Sequence, residues 1–191
     1  MLIFADIAGQ EPRQQDTIQI DETLFEKIGE GDKDAFCCLY CQTKSVVYAY
    51  SLSILHNQMD AEDAMQETYL KIRGAAHLYQ PQGKPLGWIL TITRNICLMK
   101  YRQQKRQIYC PEEELKEAID FGRITDREDR IVLETAFEVL SKEECQIIVL
   151  HAVSGMKHRE ISSLLDIPVS TVLSKYNRGL KKLRGQLEGR I

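Results

Sequence analysis

Apolar residues recur at steps of three and four along the chain, Gly and Pro fall between those runs, and strand-like alternation is nearly absent. A period near 3.6 predicts an all-α fold in which each helix buries one stripe. Residues 1–20 are polar without a clear period and read as a loose tail. A first helical block then spans about residues 21–106 and a second about 130–191. Between them, over 107–129, Glu112, Glu113, Glu114, Glu117, Asp120, Asp126, Glu128 and Asp129 are eight acids against three basic residues, behind Pro111. A run that acidic separates cores better than it joins them, so the expected architecture is two small helical domains connected by an acidic linker.

Charge narrows the function. Across 191 residues, 25 Lys+Arg stand against 28 Asp+Glu, a net charge of -3, so the whole chain is no basic coat for nucleic acid or anionic lipid. Two segments depart from that average. Lys84, Arg94, Lys100, Arg102, Lys105 and Arg106 fall in a stretch with no acid, and Lys175, Arg178, Lys181, Lys182, Arg184 and Arg190 face Glu188 alone. Two separated basic surfaces on an acidic chain point to two separated contacts with a polyanion.

The second block carries the clearest local signal. Ser141 and Glu144 form a capping box, with Leu140 and Cys145 placed as a hydrophobic staple, so a helix is expected from Ser141 to about Gly155. KHREISSLL follows as a short helix with Ile161, Leu164 and Leu165 inward, then the turn Asp166-Ile167-Pro168, then VSTVLSKYNRGLKKLR. Short helix, tight turn and longer basic helix make a helix-turn-helix, with Pro168 suited to the first turn of the new helix. Its second helix is the one that enters a major groove. The turn position usually takes Gly, and Asp is among the few residues that tolerate left-handed backbone there. An amphipathic hairpin with merely solvated cations is the alternative.

In the first block, DAEDAMQETYLKIR places Asp60 near a helix start and Ala61, Ala64, Met65, Thr68 and Ile72 on one face. Glu62, Asp63, Gln66, Glu67 and Leu70 take the other side, either as a solvated face or as a docking surface for a basic partner helix. PLGWILTITRNICLMKYRQQKR is expected to bury Trp88, Ile89, Ile92, Ile96 and Met99. Arg94, Leu98, Tyr101 and Lys105 then form a basic stripe with one aromatic, suited to phosphates and an unstacked base, with the loop His77 to Pro85 beside it.

Three segments in order carry a family resemblance: DAEDAMQETYLKI, PLGWILTITRNICLMKYRQQKR and LSKEECQIIVLHAVSGMKHREISSLLDIPVSTVLSKYNRGLKKLR. Over about Thr23 to Arg184 the chain resembles the extracytoplasmic-function group of bacterial sigma-70 RNA polymerase sigma factors. The resemblance implies docking of the first segment on core RNA polymerase, minus-10 recognition by the second and minus-35 recognition by the third. It assigns docking to Asp60, Glu62, Asp63, Gln66 and Glu67. It assigns Trp88, Arg94, Asn95 and Arg102 to minus-10 DNA, where Tyr101 and Lys105 of the basic stripe join them. Ser170, Thr171, Ser174, Lys175 and Arg178 match the minus-35 reading helix, with Lys181 and Lys182 following near its end. Implied partners are core polymerase and promoter DNA, with an anti-sigma factor as a further candidate. The sequence departs from the family at Lys157, where a Ser or Thr cap is usual, at Asp166 for Gly, and at Leu173 and Leu180 for basic residues. Gly179 also interrupts the reading helix, at roughly 1 kcal/mol relative to Ala. The competing readings are a sigma mimic that sequesters an anti-sigma partner and a stand-alone helix-turn-helix regulator.

No run approaches the roughly 18–20 apolar residues of a membrane span, and the opening MLIFADIAGQEPRQQD lacks a basic n-region, so a cytoplasmic chain without membrane insertion is expected. The six cysteines are then expected as free thiols. Cys37 and Cys41 share a helical face with Cys38 adjacent, but a structural zinc site wants four ligands, and buried small hydrophobes are the expectation. His56, His77, His151 and His158 form no HExxH or triad-like set, and no Gly-rich phosphate loop is present. No cofactor, metal or enzymatic site is expected.

Overall fold

A computed structural model describes residues 18–107 and 136–188, and every regular element among them is helical. The expected acidic linker, apart from Gln107, and the tail before Ile18 lie outside the described residues. The chain divides into two compact units, one within Ile18–Ile119 and the other built on Asp120–Ile191.

The first unit holds α1 (Thr23–Gly29), α2 (Lys33–Leu55), α3 (Gln58–Ala75), a 3₁₀ turn (Ala76–Leu78) and α4 (Pro85–Gln107). Asp32 starts α2 by accepting from the N–H groups of Asp34 and Ala35 at 2.8 and 3.1 Å. From Val46 to Leu55 every residue of α2 is buried, because α1, α3 and α4 all pack on this helix. Five buried hydroxyls of this unit are satisfied within their own helices. Thr43, Ser51, Thr68 and Thr93 return their hydroxyls to carbonyls four residues back, and Ser53 to one three back. Helix α2 ends at His56, whose left-handed backbone (φ 54°) turns the chain into the Asn57 cap of α3. Ile20 is buried, so packing reaches into the last residue of the expected tail.

Two sequence expectations fail in this unit. Cys37, Cys38 and Cys41 are exposed, because Phe36 and Tyr40 meet the Tyr69 ring while Thr43 hydrogen-bonds its hydroxyl, which turns the thiols outward. In α4 the buried stripe is Leu86, Ile89, Leu90, Thr93, Ile96 and Cys97, with Met99 exposed and Trp88 and Ile92 half-buried. The stripe sits about one residue position, roughly 100°, from the expected one. Packing of α4 on both α2 and α3 selects it from a helix with apolar residues on several sides.

The second unit holds a helical turn over 136–139, α5 (Lys142–Ala152), α6 (His158–Leu165) and α7 (Val169–Glu188). The capping box forms as read: Glu144 N–H donates to Ser141 Oγ at 3.4 Å and Ser141 N–H to Glu144 Oε2 at 3.0 Å, with Leu140 and Cys145 buried. Helix α5 stops at Ala152, three residues before the expected Gly155. Asp166 takes left-handed backbone (φ 58°, ψ 47°), and the Ile167 N–H reaches Ser162 O at 3.2 Å, closing α6 as a Gly would. Lys157, an ammonium with no acceptor, does not cap α6 through its side chain. The return half of the box remains, with Lys157 N–H donating to Glu160 at 2.8 Å. The His151 and His158 rings stack at 4.5 Å and both meet Tyr176 edge-on, which joins α5, α6 and α7.

Candidate functional site

On α3 the five acidic and amide residues singled out from the sequence separate into two groups. Asp60 and Glu67 lean towards α4, where Gln104 Nε2 donates to Asp60 at 2.6 Å and Lys100 Nζ stands 3.9 Å from Glu67. Lys71, one turn along, is also 3.9 Å from Glu67. Asp63 and Gln66 are exposed and Glu62 is half-buried. Met59 and Leu70, 74% and 69% exposed, share the outward line with them, since 59, 63, 66 and 70 follow steps of four, three and four. Leu70 is readable as an apolar residue on a polar side. Met59 escapes the sequence reading because the helix is read from Asp60, whereas the cap is Asn57, which accepts from Asp60 N–H at 3.0 Å.

On α4 Trp88 is an anchor. Phe25 of α1 stacks on Tyr79 at 4.1 Å, and both rings lie 5.3 Å from Trp88, fixing the start of the loop that leads into α4. Burial pushes the Tyr79 hydroxyl up to about 12. The rotation of the buried stripe puts Arg94 and Tyr101 half-buried on the flank, with Asn95 and Arg102 exposed on the outward side. The Tyr101 ring carries the Lys105 ammonium 5.1 Å from its centroid, so the expected aromatic already has a cation on its face.

On α7, Val172, Tyr176, Gly179 and Leu183 point inward. Gly179 is more than an interruption: a Cβ there would lie 2.7 Å from Ile148 Cδ1, so the glycine lets α7 close on α5. That approach brings the cations of α7 to two acids of α5. Lys175 pairs with exposed Glu143. Glu144, 1% exposed, receives Arg178 Nε at 2.5 Å and Lys182 Nζ at 2.8 Å. Burial pushes the Glu144 carboxyl up, but Lys182, the Ser141 N–H and Arg178 outweigh it and hold the group at about 2. Three of the four cations assigned to this helix therefore have an acid partner, and Lys181 stands exposed. The outward line is Ser170, Ser174, Asn177 and Lys181, with Leu173 beside it and Thr171 half-buried. Asn177 is a residue the sequence reading omits. Its place three residues after Ser174 and four before Lys181 would have shown it.

Two family models match the chain: Sigma-70 region 2 over residues 39–107 and Sigma-70, region 4 over residues 130–183. The chain is 25% identical over 175 residues to the ECF RNA polymerase sigma factor SigK of Mycobacterium sp. (strain KMS), covering 87% of this chain and 90% of that one. It is 31% identical over 150 residues to the ECF RNA polymerase sigma factor SigE of Mycolicibacterium smegmatis, covering 74% of this chain and 57% of that one. Among solved structures it is similar to the sigma factor RpoE in complex with the anti-sigma factor NepR from Bartonella quintana, with TM-score 0.63, 18% identity, and coverage of 82% and 98%. Similarity to CnrH in complex with the cytosolic domain of CnrY has TM-score 0.62 at 21% identity, covering 88% of this chain and 97% of that one. At those identities the structural likeness concerns the fold.

Proposed function

Because the chain belongs to the sigma-70 family, as an RNA polymerase sigma factor of the extracytoplasmic-function type that serves transcription initiation, we propose that its two units divide promoter recognition between them. Residues 21–106 dock on core polymerase and recognise the minus-10 element, 107–129 tether the units, and 130–191 recognise the minus-35 element. The observation that carries this reading is the pair of outward lines on separate units: Met59, Asp63, Gln66 and Leu70 on α3 and Ser170, Ser174, Asn177 and Lys181 on α7.

Docking uses the α3 line, whose mixed apolar and acidic character suits a basic, partly apolar helical partner on the polymerase. Asp60 and Glu67 face α4 and stand behind that line. On α4, Asn95 and Arg102 face the promoter, flanked by Arg94, Tyr101 and Lys105 for phosphates, while Trp88 positions the loop that receives an unstacked base. On α7, Ser170, Ser174 and Asn177 reach base edges, and Lys175, Arg178 and Lys182 enter the groove with their α5 acids attached. An anti-sigma factor is a further partner, a reading supported by the complex in which RpoE is seen. The chain brings no catalysis of its own and works where the polymerase does, in the cytoplasm.

Run-off transcription with purified core polymerase on genomic DNA fragments tests the reading. The chain is expected to direct discrete transcripts whose start sites share two upstream elements. Binding to core polymerase with no transcript would instead support a sigma mimic, and DNA binding without core polymerase a stand-alone regulator.

A further inference from the structure

The thiols of α2 have no part in the surfaces above. Cys37, Cys38 and Cys41 all face solvent on one side of the helix, with Cys37 and Cys41 one turn apart. Cβ atoms at that spacing on a helix are about 5–6 Å apart, whereas a disulfide needs about 3.5–4.5 Å. Direct oxidation of the pair would have to distort the turn, while one atom placed between the two sulfurs fits the gap. The neighbouring Cys41 thiol holds the Cys37 thiol above its ordinary range. Cys37 keeps its proton at neutral pH and is a slow peroxide target. Zinc-like ions want four donors, and among the described residues no group of three or more His, Cys, Asp or Glu is arranged to hold a metal ion. A ligand that needs only two sulfurs is therefore the one that fits.

We propose that Cys37 and Cys41 form a chelating dithiol site for trivalent arsenic carrying one organic substituent. Two As–S bonds form, the As=O bond and both S–H bonds break, and the oxygen leaves as water with the two thiol protons. Arsenic stays trivalent, so no oxidant or reductant enters. Cys38 stands apart from the chelate, its sulfur accepting from Gln42 Nε2 at 3.5 Å.

Phenylarsine oxide added to the reduced full-length chain tests the site. Intact-mass measurement is expected to show one adduct, heavier than the protein by phenylarsine oxide less one water, with two fewer titratable thiols. Losing either sulfur removes the second bond of the chelate, so Cys37→Ser and Cys41→Ser should each weaken binding at least about 100-fold, and Cys38→Ser and Cys110→Ser should leave it within about twofold. All four variants should keep the helical circular dichroism of the parent. The proposal is overturned if a folded Cys37→Ser or Cys41→Ser chain binds like the parent, or if Cys38→Ser or Cys110→Ser abolishes the adduct. None of these readouts involves polymerase or promoter DNA, so failure here leaves the transcriptional reading standing, and the reverse holds too.

Discussion

Both units join an acidic helix to a basic one, and the two seams are built differently. In the first, the Glu67 carboxylate is one-third exposed and stands 3.9 Å from Lys100 and from Lys71. In the second, Glu144 is 1% exposed and is held at 2.5 and 2.8 Å by Arg178 and Lys182, with the Ser141 N–H completing the shell at 3.0 Å. Long, wet pairs are worth little, whereas a buried carboxylate that has lost its water must keep its partners. The α5–α7 seam is thus part of the fold, and the α3–α4 seam is a loose edge on a core that stands without it.

The largest expected effect comes from removing the two acids in turn. The Glu144 carboxyl has an ordinary value of 4.5 and is held at about 2, a gap that corresponds to roughly 3 kcal/mol of stability at neutral pH. Glu144→Ala should lose about that much in the second unit, and Glu67→Ala should lose less than about 1 kcal/mol in the first. Because the folded value is depressed, the stabilisation is present above pH 4.5 and disappears as pH falls towards 2. The difference between parent and Glu144→Ala should close over that window. Hydrogen exchange at α5 and α7 amides is the measurement, since Trp88, the chain's one tryptophan, reports on the other unit. Equal losses for the two acids would erase the distinction between the seams.

Two glycines of α7 sharpen the same point at a smaller scale. A Cβ on Gly179 meets Ile148 Cδ1 at 2.7 Å, inside a core where Ile148 is fully buried, while a Cβ on Gly185 meets nothing within 4 Å. Gly179→Ala should destabilise by about 1–2 kcal/mol, as overpacking outweighs the gain in helix propensity. Gly185→Ala should stabilise by up to about 1 kcal/mol through propensity alone. Thermal unfolding of the two variants decides it, and stabilisation by both would mean that α7 does not need its close approach to α5.

These pairs also mark where the sequence is legible. Signals that act within a few residues came through: the Ser141–Glu144 box, the left-handed Asp166, and Pro168 at a helix start. The rotation of α4 did not, because Trp88, Ile89, Leu90, Ile92, Ile96, Cys97, Leu98 and Met99 place apolar side chains on several sides and periodicity alone cannot choose among them. Nor did the shell around Glu144, whose partners lie 34 and 38 residues along the chain. Gly179 read as a weakness for the same reason, since the Ile148 it accommodates is distant in sequence. Of the site, residue types and segments were legible, but which of them stand outward depended on neighbours that only the fold supplies.

Docking separates outward residues from seam residues within the first unit. Asp63 is exposed on the outward line, so Asp63→Lys should weaken core-polymerase binding about tenfold, or ~1.4 kcal/mol, with unfolding unchanged. Glu67→Lys instead sets a third ammonium beside Lys71 and Lys100, and it should lower the stability of the unit by about 1 kcal/mol or less. Titration of labelled chain with core polymerase, run beside urea unfolding, distinguishes them. Full affinity in a folded Asp63→Lys chain would remove α3's outward line from the interface.

The smallest expected effect concerns the charge that α7 presents to DNA. Lys182 reaches the groove already paired with Glu144, while Lys181, its neighbour in sequence, stands exposed on the outward line. A lysine whose charge is offset by a buried carboxylate displaces less than one counterion when it meets a phosphate, because the field it adds is partly cancelled beforehand. Lys181→Ala should therefore lower the slope of log affinity against log salt by about one, and Lys182→Ala by clearly less. Neither should alter sequence preference, whereas Asn177→Ala, which removes a bidentate donor and acceptor from the outward line, should relax it at one position. Holoenzyme binding to a library of upstream-element variants at several salt concentrations measures all three. Equal slopes for the two lysines would show that Glu144 lets go of Lys182 when DNA binds, making the buried seam of the second unit as yielding as the exposed one of the first.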